Sequence, residues 1–226
     1  MQPHERKLLE QGAFELGAPL DGAQLDQFER FAYLLYEANK GLNLTRIPPE
    51  QAVPLHFLDS LAVCRALNVR MLRNLADVGS GAGFPGIPLK IAFPHLEVTL
   101  IEATQKKAAF LREVVRQLGL SAVEVLAARA EDLVRDPLAA GGFDAATARA
   151  VARLTKLLEW MLPLVRSGGS VVALKSRTAD EELLEVRPLL PRLGAVLAKD
   201  VQTAIPGTDA YRRILVFERT TKGRRR

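Results

Sequence analysis

The densest chemistry in the 226-residue chain is one run, Asp77-Val78-Gly79-Ser80-Gly81-Ala82-Gly83-Phe84-Pro85-Gly86. Glycines at this density permit a tight turn and let the backbone approach a ligand closely. Between a strand and a helix such a run binds a nucleotide-like ligand, but by itself it does not choose which one. Two carboxylates narrow the choice. Asp77 stands two residues before Gly79, where it can accept a hydrogen bond from an amino group. A pyrophosphate would instead want free N–H groups beside an apolar strand end. Glu102 follows Gly83 by 19 residues, close to the ~20-residue offset of an acid that binds both ribose hydroxyls. An amino group, a ribose and a sulfonium cation in place of phosphates describe S-adenosylmethionine (AdoMet). Ala130-Glu131-Asp132-Leu133 forms a third turn that can read an adenine edge, although acids also favour a helix start through its dipole. Arg149 ends a fourth strand, where it faces a ligand crevice or pairs with a core acid. The cofactor candidates read from the residues are Asp77, Gly79, Gly81, Gly83, Glu102, Ala130, Glu131 and Arg149.

These turns need strands to carry them. Short runs rich in Val, Ile and Ala over 74–78, 98–101, 123–127, 143–147 and 171–174 read as strands. Helical segments over 86–93, 105–118, 154–165 and 181–190, with a short one after Ala130, alternate with them. Alternation of this kind implies a parallel sheet covered on both faces. The last two strands, 196–204 and 212–217, are joined through Pro206-Gly207 with no helix between them and must be antiparallel. The fold class expected is therefore α/β, a Rossmann-like methyltransferase fold. It has a mostly parallel seven-stranded sheet, a C-terminal antiparallel hairpin and an N-terminal helical extension. In the extension, Leu25, Phe28, Phe31, Ala32 and Leu35 recur at helical spacing. Gly41 is expected to stop that helix. A second helical stretch, 49–67, should be kinked or divided by Pro54. The division expected is 1–70 as helical cap, 71–219 as AdoMet-binding domain and 220–226 as a basic tail.

Composition sets wide bounds. Hydrophobic residues make up 48% and charged residues 25% of the chain, as in a soluble globular protein with a sizeable core. No apolar run approaches a membrane span, so a cytoplasmic protein is expected, and a single cysteine, which can form no internal disulfide, fits a reducing compartment; Cys64, in Leu61-Ala62-Val63-Cys64, reads as a packing residue. A monomer is expected, because no exposed apolar stripe stands out. His56 could bond Asp59 or a phosphate, or be satisfied locally; His4 and His95 carry no signal, and with no His/Cys cluster no metal is expected. The net charge is +5, which favours a polyanionic partner. Lys106 and Lys107 begin a helix, a place unfavourable to cations unless a phosphate meets them. The tail residues Arg224, Arg225 and Arg226 could form an electrostatic arm or a solvated terminus.

Longer strings add a resemblance. They are Asn39-Lys40-Gly41-Leu42-Asn43-Leu44-Thr45, His56-Phe57-Leu58-Asp59-Ser60-Leu61, Asp77 through Pro88, Glu102 with Lys106-Lys107 and Phe110-Leu111, and Arg149-Ala150-Val151-Ala152. Over roughly residues 25–219 the chain resembles the bacterial small-subunit ribosomal RNA guanine-N7 methyltransferases (RsmG, also called GidB). The resemblance implies methylation of one guanine N7 in 16S rRNA, in the loop near the decoding centre, within the small ribosomal subunit. It implies an AdoMet site that includes Gly79, Phe84, Glu102, Ala103, Thr104, Ala130, Glu131 and Arg149. Asn39, His56, Lys106, Lys175 and Arg213 are implied as RNA contacts or site organisers. One departure is Ser176 after Lys175, where the family commonly carries Lys-Gly.

Guanine N7 offers an in-plane lone pair and no proton, so no catalytic acid or base is expected. Positioning alone does the work. Asn39, His56, Arg149 and Lys175 are the expected organisers of the site. The alternatives are a methyltransferase for another RNA, a protein or a small molecule, an NAD-dependent oxidoreductase, and a non-catalytic RNA-binding module. Asp77 and the closing hairpin argue against the oxidoreductase.

Overall fold

A computed structural model describes residues 1–133, 141–176 and 179–220. Seven strands form one sheet in the order β3-β2-β1-β4-β5-β7-β6. They are β1 Asn74–Val78, β2 Glu97–Ile101, β3 Val123–Leu126, β4 Phe143–Arg149, β5 Val165–Lys175, β6 Ala195–Ala204 and β7 Tyr211–Arg219. The first five run parallel, and β7 pairs antiparallel with both β5 and β6. Chain order reverses between β1 and β4, and ligands of open α/β sheets bind at the carboxyl ends of the strands at such a switch.

Alternation along each strand divides the core in two. Leu75, Leu100, Ala145, Val172 and Ile214 face one side. They pack under α1 (Pro3–Glu15), α2 (Gly22–Leu42), α3 (Asp59–Leu61), α4 (Gly86–Ala92) and α5 (Gln105–Gln117). Ala76, Ile101, Ala146, Val171 and Leu215 face the other side. That side is covered by α6 (Ala130–Leu133), α7 (Leu154–Met161), α8 (Asp180–Val186) and α9 (Leu190–Leu193). The N-terminal helices thus share a core with the sheet: Leu9, Phe28 and Phe31 are fully buried in it. None of the described helices is long and apolar enough to cross a membrane.

Several boundaries differ from those expected. Helix α2 runs past Gly41 to Leu42, and Asn43 takes the left-handed cap at φ 50°. Asparagine tolerates that region, and the Asn39 side chain binds the next turn by accepting from the Leu44 and Thr45 N–H groups. The stretch expected as a helix to 165 stops at Met161, because β5 starts at Val165. The helix expected over 181–190 is divided into α8, a 3-10 turn Arg187–Leu189 carrying Pro188, and α9. Helix α1 has too thin an apolar face to be legible: only Leu9, Gly12 and Ala13 are buried along it. The 49–67 stretch is divided around Pro54, with a π-helical turn Val53–Leu58 between 3-10 turns and α3. Cys64 packs partly buried against the core, and burial pushes its thiol up to about 12.

Candidate cofactor and substrate site

The glycine run turns directly off β1. Gly79, Gly81 and Gly83 all have positive φ, the region that favours glycine. At Gly83 a Cβ would also lie 2.5 Å from Ile87 Cδ1. The loop hooks onto the neighbouring strand, with the Gly79 and Ser80 N–H groups donating to Ile101 O.

Asp77 is fully buried at the root of this loop. Its Oδ2 accepts from the Gly86 N–H at 3.0 Å, at the start of α4. Its Oδ1 is buried with no hydrogen-bond partner among the described residues. Burial pushes the carboxyl up to about 7, against the pull of the Gly86 N–H, Ser80, Arg149 and Thr147. An orphaned buried oxygen is costly, and a cationic amino group is the kind of partner it lacks.

Glu102 sits one strand over, at the end of β2, and is nearly buried. Its Oε2 accepts from Gly81 N–H at 2.9 Å and its Oε1 from Thr104 N–H at 2.7 Å. The carboxylate is aimed at the glycine loop, as a ribose-binding acid must be. Ala103 and Thr104 are exposed beside it, Ala130 is buried, and Glu131 is partly exposed at the start of α6. Gly79 is covered by Val151, whose Cγ2 would lie 2.7 Å from an added Cβ. Truncating Glu102 to alanine is expected to weaken AdoMet binding by about 1–3 kcal/mol, the loss for hydrogen bonds to a charged group. Titration calorimetry on Glu102→Ala checks this, and an unchanged affinity removes the ribose role.

Arg149 leaves the carboxyl end of β4 and reaches the N-terminal cap. Its guanidinium donates to Asp59 Oδ2 at 2.9 Å and to Leu55 O at 3.2 Å, and lies 3.2 Å from His56 Nδ1. Pairing with a core acid, the alternative left open by the sequence, is what the structure displays. Arg149 also lies over the Phe84 ring, 4.7 Å from its centroid. Arg212 meets the same carboxylate through Asp59 Oδ1 at 2.5 Å. Asp59 is 1% exposed, so one buried carboxylate fastens two guanidiniums, one from β4 and one from β7.

His56 stacks on Phe84 at 4.3 Å, with the rings 2° from parallel. Guanidinium is a donor only, so Nδ1 accepts from Arg149 and Nε2–H donates to Thr45 Oγ1 at 2.9 Å. Burial and then the Arg149 charge pull the imidazole down to about 3, which keeps it neutral. His56 is therefore satisfied locally while shaping the site. Phe84 is 4% exposed within a cluster that includes Phe31 and Phe57, so it supports the loop from below. Asn39 binds Thr45 O as well as the two N–H groups named above, and so fixes the turn that carries Thr45.

Lys175, at the end of β5, donates to Ala152 O at 2.7 Å and Glu182 Oε2 at 2.8 Å. Glu182 also accepts from the Leu154 N–H, which ties the start of α7 into the same knot. Arg213 does not match the RNA contact expected of it. It is 6% exposed, forked onto Asp200 at 2.8 Å and paired with Asp180 at 2.6 Å. Strand alternation explains the difference: Arg213 turns to the face of α8, and its neighbour Arg212 turns to the crevice side. Lys106 is exposed and Lys107 partly so, at the start of α5. Arg224, Arg225 and Arg226 lie outside the described residues.

The sequence reading named Asp59 only as a partner for His56, where the structure gives it to Arg149 and Arg212, and it missed Arg212, Thr45 and Val151 as site residues. The His56-x-x-Asp59 spacing, which places both on one helical face, was the available signal for Asp59. No group of three or more His, Cys, Asp or Glu side chains able to hold a metal occurs among the described residues. A cavity of about 790 Å³ lies away from this site, between α1, α2 and the Pro49 turn. Glu5, Asp26, Glu29, Glu37 and Glu50 line it together with Arg30 and the Met1 amino group, and Asp26, Glu29 and Glu37 are held in ion pairs.

Comparisons with known proteins bear on the fold and the family. A protein from M. jannaschii, TYW2, solved in complex with AdoMet, is 17% identical and superposes with a TM-score of 0.52 over 67% of this chain and 72% of its own. The ribosomal protein L11 methylase of Lactobacillus delbrueckii subsp. bulgaricus is 16% identical, with a TM-score of 0.55 over 73% of this chain and 78% of its own. These two share the fold. The Ribosomal RNA small subunit methyltransferase G of Desulfitobacterium hafniense is 43% identical over 91% of this chain and 85% of its own length. The family model described as "rRNA small subunit methyltransferase G" matches residues 24–200. The chain belongs to the rRNA small subunit methyltransferase G (GidB) family.

Proposed function

We propose that this protein transfers the methyl group of AdoMet to N7 of a guanine in 16S rRNA, with the small ribosomal subunit as its substrate. The observation that carries the cofactor part is the buried, unpartnered Asp77 Oδ1 at the root of a glycine loop whose other side holds Glu102. Family membership supports the rRNA acceptor.

The residues fit AdoMet by their chemistry. Asp77 Oδ1 takes the amino group of the methionine part, directly or through one water. Glu102 would accept from the two ribose hydroxyls with the lone pairs that the Gly81 and Thr104 N–H groups leave free. The Ala130-Glu131 turn meets the adenine edge, with Ala103 and Thr104 beside the ribose. AdoMet supplies an electrophilic methyl group on a sulfonium. Transfer of that methyl group to guanine N7 would need no proton to move, because N7 carries none. That suits a site whose one buried histidine is neutral and fully engaged. The chain has only to hold N7 in line with the S–CH3 bond and keep water out. Arg149, fixed by Asp59 and stacked on Phe84, sets the wall between cap and sheet. Lys175 holds the loop after β4 through Ala152 O. Lys106 and Lys107 are the open cations at the rim suited to phosphate.

Incubation with methyl-labelled AdoMet and unmethylated small subunits tests this reading. Label is expected in 16S rRNA, and Glu102→Ala should slow its incorporation. Label in ribosomal protein, or in no subunit component, contradicts it.

A further inference from the structure

A smaller cavity, about 250 Å³, opens at the other end of the sheet from the glycine loop. Residues 65–70 precede β1, and Phe93 follows α4, so the cavity lies near the amino ends of β1 and β2. Three cations from two distant parts of the chain line it: Arg65, Arg70 and Lys199. Among the described residues that line it there is no carboxylate. The nearest acid in sequence, Asp200, is taken by Arg213.

None of the three charges is neutralised by an acid within the pocket. Arg65 donates to the Glu15 carbonyl at 3.5 Å, Arg70 lies over the Phe93 ring at 5.6 Å, and Lys199 donates to Ala66 O at 2.9 Å. These neutral partners orient the cations and leave most of their N–H donors open. All three residues are exposed. Like charges held around one small space repel, and an anion in it relieves the repulsion. The volume is below the roughly 300 Å³ at which pockets for drug-sized ligands begin, so the fit is to a phosphate group and not a nucleotide.

We propose that this pocket holds a backbone phosphate of the rRNA substrate, remote from the base that is methylated. The assignment rests on the rRNA reading above. Strands β1 and β2 are five residues long, about 17 Å. A folded rRNA that reaches both the crevice and this pocket therefore spans at least about 17 Å. Such a contact positions the RNA and reads no sequence.

The test is the double variant Arg65→Gln/Arg70→Gln, assayed for methyl transfer to unmethylated small subunits and for subunit binding across a salt series. KM for subunits should rise about tenfold, and the slope of log affinity against log salt should become shallower by about 1, as one phosphate contact is lost. The affinity for AdoMet and kcat at saturating subunit should be unchanged. Arg65→Lys/Arg70→Lys should keep the parent slope. A double variant with the KM and slope of the parent overturns the proposal. So does a parent stabilised by inorganic phosphate through these arginines while KM stays fixed, which would assign the pocket to a free anion. A parent that methylates no subunit rRNA removes the underlying reading as well, and is told apart by the parent assay alone.

Discussion

Asp77→Asn should melt higher than the parent at pH 8 and yet bind AdoMet at least tenfold more weakly. The gain in stability comes from the orphaned oxygen. The Asp77 carboxyl is pushed up to about 7 from an ordinary value of 3.8. Between those values the unfolded chain is ionised and the folded protein keeps the proton. The folded state then binds more protons than the unfolded state, so stability falls as pH rises from about 4 to 7. Above pH 7 the full penalty is present, of order 4 kcal/mol as an upper bound. Asparagine keeps an oxygen for the Gly86 N–H and carries no charge. For a chain of this size each kcal/mol moves Tm by about 2–4 °C, so a rise of about 5 °C at pH 8 is expected. The difference should shrink at pH 5, where the parent is already protonated. The loss of affinity follows from removing the acceptor for a cationic amino group, about 1.5–3 kcal/mol. By the same linkage, AdoMet should bind the parent more weakly as pH falls below 7, because binding must first displace the proton. Scanning calorimetry at both pH values and titration calorimetry across them check the set. Equal melting of parent and variant at pH 8 would show that Asp77 has a partner.

His56 opposes that pH dependence. Its folded value near 3 lies below the ordinary 6.5, so the unfolded chain binds the extra proton between them. Its contribution is present above 6.5 and is lost as pH falls toward 3. The two slopes have opposite sign over overlapping windows. Stability between about pH 4 and 6.5 is therefore flatter in the parent than in either single variant.

The second large effect is at Asp59. Asp59→Ala leaves Arg149 and Arg212 facing each other without their shared carboxylate. Breaking a buried pair in this way costs about 3–5 kcal/mol, and thermal melting should fall by about 10 °C. Adding Arg212→Met should recover part of the loss, since one uncompensated cation is removed. A double-mutant cycle on Asp59 and Arg212 measures the coupling. Additive effects would mean that the 2.5 Å contact contributes nothing to stability.

The parts of the fold set by local pattern were legible. All seven strands, the antiparallel closing hairpin and the division at Pro54 follow from apolar periodicity and from proline. The glycine loop and Glu102 also stand where their spacing put them, with Glu102 aimed back at Gly81. What was not legible depends on contacts between distant residues. Asp59 meets partners 90 and 153 positions away, and no local signal announces such a pair. Arg212 and Arg213 are adjacent in a strand, and only the register against β5 decides which of them faces the crevice. Helix α1 failed for a different reason: its short apolar face finds its burial on the π-helical turn. Asn43 displaced Gly41 as the end of α2 because the Asn39 side chain anchors the turn beyond it.

The most direct measurement is chemical mapping of the product. Small subunits from a methylation-deficient strain are incubated with the protein and AdoMet, and the rRNA is treated with borohydride and aniline, which cleave at N7-methylguanine. One new cut in 16S rRNA, in the loop near the decoding centre, is the result expected. Methyl label in 16S rRNA with no such cut would contradict transfer to N7.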